Sequence, residues 1–239
     1  MGYSRKEEIA KLRRERKEAK AAKKRKENVR EKLVRFLIVC EGTKTEPHYF
    51  EALIKNYIST VREVTIEDKG RATVALVDRT LEIRQELERK NAMSFDRVWV
   101  VFDKDDFDDF NDAIKKANKL GFRSAWTNEA FELWYYLHFE YLDTGISREA
   151  YIDKLQNAFR KKMGDDNFKY CKGNPDVYRL LQQYGREELA KRFAQQLRAL
   201  YTGIDYATHK PCTMVDILVE ELEHPDLVLK SKNETKSLT

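Results

Sequence analysis

The stretch "RFLIVCEGTKTEPHYFEAL", residues 35–53, decides the fold. Its apolar, β-favouring run through Cys40 has the character of a strand buried inside a sheet. Glu41 and Gly42 interrupt that run. The apolar residues Tyr49, Phe50, Leu53, Ile54 and Tyr57 then recur at helical spacing on one broad face. A buried strand that ends on a carboxylate puts that charge at the carboxyl edge of the sheet, where α/β proteins build their sites.

The same alternation continues along the chain. "VREVTIED" (61–68) reads as a strand and "TVALVDRTLEIRQELERK" (73–90) as a helix. "FDRVWVVFDKDD" (95–106) is a second strongly buried strand. "FDDFNDAIKKANKL" (107–120) is a helix stopped by Gly121, a C-terminal signal. "FRSAWTN" (122–128) is a short strand, and "FELWYYLHFEYL" (131–142) carries dense aromatics at helical spacing. This order predicts an α/β fold with a mostly parallel central sheet flanked by helices. From residue 147 the pattern is helical, apart from the irregular segment "GDDNFKYCKGNPDVYRLL" (164–181), whose start reads as a surface loop. The expected organisation is a basic helical arm at 1–32, an α/β core at 33–146, a mainly helical C-terminal region at 147–225 packed on the core, and a tail at 226–239.

With 239 residues and 41% apolar content the chain can bury a sizeable core. Its charge is uneven. Residues 1–35 hold 15 Lys and Arg against 6 Glu, whereas the whole chain nets only +5, so the body is mildly acidic. The arm fits a solubilising tail or partner-docking helix as well as an electrostatic grip on nucleic-acid phosphates, for which Arg13, Arg14, Lys23, Lys24 and Arg25 are the candidate contacts. No apolar run reaches membrane-spanning length and the N-terminus lacks a signal core. Three widely spaced cysteines suggest a reduced protein, and the expected location is the cytoplasm.

Two strand ends carry acids: Glu41, and Asp103 with Asp105 in "VVFDKDDFDDF". A parallel sheet gathers its carboxyl ends on one edge, so adjacent strands would bring these acids together. Ionised carboxylates in one place repel unless a cation joins them. Hard oxygen ligands suit Mg²⁺ or Mn²⁺, which activate water at phosphate centres. Glu129 or Glu132 would add a third contribution. Asp106, Asp108 and Asp109 read most simply as helix-capping acids. Gly42 is expected to allow the tight turn that aims Glu41. Lys44 would meet a phosphate or offset local acid charge. His138 divides between a site residue and an aromatic-core residue. Lys169 and Lys172, flanking Tyr170, would touch a phosphate or merely be solvated. No Gly-rich nucleotide loop of the G-x-x-x-x-G-K-[ST] type occurs, which argues against ATP hydrolysis within this chain.

The order "FLIVCEGTKTEPHYF", "VWVVFDKDD", "FELWYYLHF" and "KPCTMVDILVEEL" resembles the RloB-like proteins over roughly residues 33–222. These are bacterial proteins with a Toprim-like domain, linked to restriction and phage-defence loci. The resemblance implies that Glu41 matches the acid/base glutamate of Toprim domains and that Asp103 and Asp105 match their metal-holding D-x-D. It implies a metal-dependent nuclease acting on DNA or RNA, controlled by an AAA/ABC-type ATPase encoded nearby. A non-catalytic nucleic-acid- or nucleotide-binding subunit of such a complex is the alternative, with nucleotidyl transfer a third option. A homo-oligomer is compatible with either; a membrane role is not expected. The family often has Asn-Pro-x-Phe-Glu before its aromatic helix; this chain has Asn128-Glu129-Ala130-Phe131-Glu132.

Overall fold

The computed structural model describes residues 16–17, 34–56, 61–68, 73–104 and 108–228, with residues 61–68 described by their backbone. The chain divides into two compact units, Met1–Leu33 and Val34–Thr239. Arg13, Arg14, Lys23, Lys24 and Arg25, together with Tyr57, Asp105, Asp106 and the end of the tail, lie outside the described residues.

In the second unit four strands alternate with helices: β1 (Val34–Cys40), α1 (Thr45–Asn56), β2 (Val61–Asp68), α2 (Thr73–Asn91), β3 (Arg97–Lys104), α3 (Phe110–Lys119), β4 (Arg123–Asn128) and α4 (Glu132–Leu137). Among the described residues α5 (Arg148–Met163), α6 (Val177–Tyr184), α7 (Glu187–Ala199) and α8 (Val215–Glu223) follow, with a short 3-10 turn at Tyr206–Thr208 before α8. The sheet order is β2-β1-β3-β4, and every pairing is parallel. The α/β architecture, parallel sheet and helical C-terminal region agree with the expectation and are consistent with a Toprim-like fold.

Every residue of β1 is buried, and the period of two in a strand sends alternate side chains to opposite faces. Phe36, Ile38 and Cys40 join Trp99 and Val101 of β3 in one core with the aromatic residues of α1 and α4 and the C-terminal helices. Leu37 and Val39 join Val98, Val100 and Phe102 in a second core under α2 and α3. By that alternation Asp103 faces the first core, towards α4. The outer edge of β4 is covered: Thr127 bridges Thr213 antiparallel, and Asn128 N–H donates to Cys212 O at 2.9 Å. This pairing satisfies an edge that would otherwise expose open backbone groups. No helix of the described residues is long and apolar enough to cross a membrane.

Three local readings change. Helix α6 occupies part of the segment read as irregular: Val177, Tyr178, Leu180 and Leu181 bury one face of it. The aromatic run beginning at Phe131 supports only a six-residue helix, α4, before the chain turns at His138. Asp109 does cap a helix, but not the one it precedes: its Oδ2 accepts from Val74 N at 2.9 Å in the first turn of α2.

Candidate active site

Glu41 is the first residue past β1, and its N–H still donates to Val101 O of β3 at 2.9 Å. The ladder therefore continues one residue beyond Cys40 and fixes Glu41 against β3. Cys40 pairs with Val101, so Asp103 lies two register steps past that pair, next to the turn at Gly42. Adjacent parallel strands thus bring the two strand-end acids to one cavity of about 270 Å³. Glu46 shares the acidic side of that cavity, while Lys44, Arg148 and Lys172 also line it.

Asp103 is the most constrained acid. Its Oδ2 accepts from Phe131 N at 3.0 Å, just before α4, whereas its buried Oδ1 has no hydrogen-bond partner among the described residues. Burial, followed by the charges of Glu46 and Glu132, holds the Asp103 carboxyl well above the usual carboxylate range; the Phe131 N–H and Arg148 oppose that shift. Glu132 is 0% exposed, and neither of its carboxylate oxygens has a hydrogen-bond partner among the described residues. It adjoins Tyr170 and Tyr135, whose phenols are pushed up chiefly by burial and further by Glu132. The Tyr135 hydroxyl donates to Thr45 O at 3.0 Å, tying α4 to the start of α1.

Gly42 has a different role from the one expected. Among the described residues the glycines with positive φ are Gly121, Gly164, Gly173 and Gly203, and Gly42 is not one of them. The constraint is steric instead: a Cβ on Gly42 would collide with the Glu46 carboxylate and lie 2.7 Å from its Cδ. Gly42 makes room for a second glutamate at the site.

The other sequence candidates separate. Lys44 and Lys172 line the cavity, but Lys169 is exposed and is not among its lining residues. His138 does not line it either. It lies at the opposite end of α4 from Glu132, with Nδ1 3.0 Å from Trp134 O and its ring edge-on to Trp134 at 4.8 Å. Burial lowers its pKa to about 4, so the structure gives it the aromatic-core role. His48 packs its Nδ1 3.0 Å from Gly173 O. Glu129 pairs with Lys210 at 2.5 Å and has φ +82. Proline, fixed near φ −65°, could not adopt that backbone. The departure from Asn-Pro-x-Phe-Glu therefore accompanies a different turn.

Sequence reading missed Glu46 and Arg148. Glu46 had a faint signal, as an acid in the first turn of α1 and 6% exposed. Arg148 had none, because it reaches the cavity from α5, 45 positions beyond Asp103.

Buried carboxylate oxygens without partners suit a hard divalent cation, and Asp103 and Glu132 provide them. Three ligand atoms within 4.8 Å of one another do not meet here among the described residues. The group with that spacing is Glu220, Glu223 and His224. Lys191 sits among those acids, with Nζ 2.8 Å from Glu220 Oε2 and bonded to Glu223 as well. That cluster is an ion-pair network already supplied with its cation.

With this geometry in place, the comparison with known families decides the assignment. The model of the RloB-like protein family matches residues 36–222, well over half of the chain. The chain belongs to the RloB-like family. Its matched region runs from β1 to α8, so it includes both strand-end acids, the aromatic helix α4 and Arg148. No curated protein and no solved structure matches the chain.

Proposed function

We propose that this RloB-like protein is a metal-dependent nuclease that hydrolyses phosphodiester bonds of DNA or RNA. The observation that most supports this is the meeting of Glu41 and Asp103, from adjacent parallel strands, at one cavity that Arg148 and Lys172 also line. Asp103, Glu41 and Asp105 would hold Mg²⁺ or Mn²⁺, which when bound polarises a phosphoryl group and lowers the pKa of an attacking water. Glu41 is suited to take the proton from that water at its carboxylate, or to return one to the leaving oxygen. The Phe131 N–H fixes one oxygen of Asp103 and so sets the carboxylate's orientation. Following the family, the role we infer is that of a phage-defence effector released by a partner ATPase, with residues 1–32 adding salt-sensitive affinity for nucleic acid.

A second reading draws on a specific observation. Ligand atoms of three acids do not converge beside Asp103 among the described residues, and Arg148 offsets part of its charge. A pocket of that kind also fits a subunit that binds a nucleotide or nucleic-acid end without cutting it.

The deciding experiment incubates labelled plasmid DNA and total tRNA with the full chain and Mg²⁺ or Mn²⁺, beside Asp103→Ala and Glu41→Ala proteins. Cutting by the wild type alone supports the nuclease and identifies its substrate class. No cutting, even with the neighbouring ATPase added, favours the binding subunit.

A further inference from the structure

The acid cavity has a second wall, and that wall is cationic. Arg148 stands in the first turn of α5, Lys44 in the turn before α1, and Lys172 in the loop between α5 and α6. Widely separated chain segments therefore bring positive charge to the same 270 Å³. Each is held by its surroundings. Arg148 Nη2 donates to Glu129 O at 2.8 Å, and Glu129 is itself pinned by Lys210 at 2.5 Å. The Lys44 stem lies against Gly173, where an added Cβ would stand 2.9 Å from Lys44 Cβ. Gly173 also needs its left-handed φ of +74, and its carbonyl meets His48 Nδ1 at 3.0 Å. The turn that carries Lys172 is thereby fastened to the start of α1.

We propose that Arg148, with Lys172 and Lys44, seats a phosphate group of the ligand against this wall, and that Arg148 is the principal contact. A guanidinium presents a planar fork of donors that matches phosphate oxygens, which a lysine cannot reproduce. The charge of Arg148 also offsets part of that of Asp103. A cation taken up at Asp103 would add positive charge beside that wall. Metal and phosphate should then bind with positive coupling. The inference rests on the nuclease reading only for the identity of the ligand as nucleic acid, because the phosphate contact does not require cleavage.

The test measures binding rather than cutting. A labelled 5′-phosphorylated dinucleotide is titrated with the full chain in EDTA and again in Ca²⁺, across a range of salt. Unlabelled oligonucleotide and inorganic phosphate serve as competitors. Arg148→Ala should weaken binding about tenfold, Arg148→Lys and Lys172→Ala by less. Each lost contact should make the fall of log K with log salt shallower. Competition by inorganic phosphate would assign the wall to a terminal or free phosphate, and competition by oligonucleotide alone to an internal phosphodiester; both support the proposal. Unchanged affinity and slope in Arg148→Ala and Lys172→Ala would overturn it. If Arg148→Ala does not fold, unchanged slopes in Arg148→Gln and the exposed Lys172→Ala overturn it equally. A protein that cuts with Mg²⁺ yet shows no slope change keeps the nuclease reading and loses this one; the converse result does the reverse.

Discussion

Two clusters of acids stand in the same unit and are finished differently. Between α7 and α8, Glu187, Glu220 and Glu223 surround Lys191, whose Nζ lies 3.6 Å from Glu187 and 2.8 Å from Glu220 and is bonded to Glu223. At the sheet edge, Glu46 and Glu132 crowd Asp103, and the offset comes from one backbone N–H and the charge of Arg148. Glu132 there is wholly buried with neither oxygen bonded among the described residues. Burying charge is costly unless it is paired. The first cluster is closed by Lys191, with a proton retained on Glu187, and serves stability. The second leaves its closure to a proton or a bound cation, as a working site does.

The largest expected effect breaks that comparison or confirms it. Asp103→Asn can still accept from the Phe131 N–H but no longer repels Glu46 and Glu132. We expect it to lose about 10²–10⁴-fold of metal-dependent hydrolysis while its metal-free Tm rises, by about 2–4 °C for each kcal/mol of repulsion relieved. A lower Tm would mean that Asp103 is a structural acid like those around Lys191.

Lys191→Met probes the other side. It strands three glutamates around a side chain that is only 14% exposed. Urea unfolding should show a loss of about 3 kcal/mol. A neutral result would remove the distinction between a closed and an open cluster.

A smaller effect depends on pH. Burial first, then hydrogen bonding to and repulsion from Glu223, push the Glu187 carboxyl up to about 8. The folded state therefore holds a proton that the unfolded chain releases near the ordinary value. Stability from this group is full below the unfolded pKa and is lost as pH rises through about 8. Asp103, raised in the same direction, adds to the trend. Glu187→Gln should flatten the fall in Tm between about pH 5 and about pH 9 and be more stable than wild type at the upper end. An unchanged pH profile would place the shared proton elsewhere.

The smallest change in stability is expected for Gly42→Ala. The added methyl displaces only the flexible end of Glu46, so the unfolding free energy should change by about 1 kcal/mol or less. Mn²⁺ affinity by calorimetry should nevertheless fall, because Glu46 is displaced from the cavity. Unaltered affinity would take Glu46 out of the site.

Much of this architecture was legible because it repeats a local signal. The apolar β1 run, the alternation of "VREVTIED" and the helix stop at Gly121 each depend on residues within one element. Helix α6 was hidden because it follows a loop rich in Gly, Asn and Asp, and its apolar face is short. His138 misled because an aromatic stripe looks the same whether its far end meets a site or a core. Gly42 was noticed for the wrong reason: a glycine advertises backbone freedom, and nothing local announces that a carboxylate four residues later will occupy the space of its missing side chain.

The sequence by itself determined the element order and the two strand-end acids, since hydrophobic period and chain position suffice to put Glu41 and Asp103 at carboxyl ends. Only the tertiary structure decided that β1 and β3 are neighbours, that Glu46 rather than His138 stands with them, and that Arg148 and Lys172 form the facing wall. The reason is physical. Strand and helix formation are governed by neighbours a few positions apart, whereas a site is assembled by packing between segments tens of residues apart, which no local period encodes.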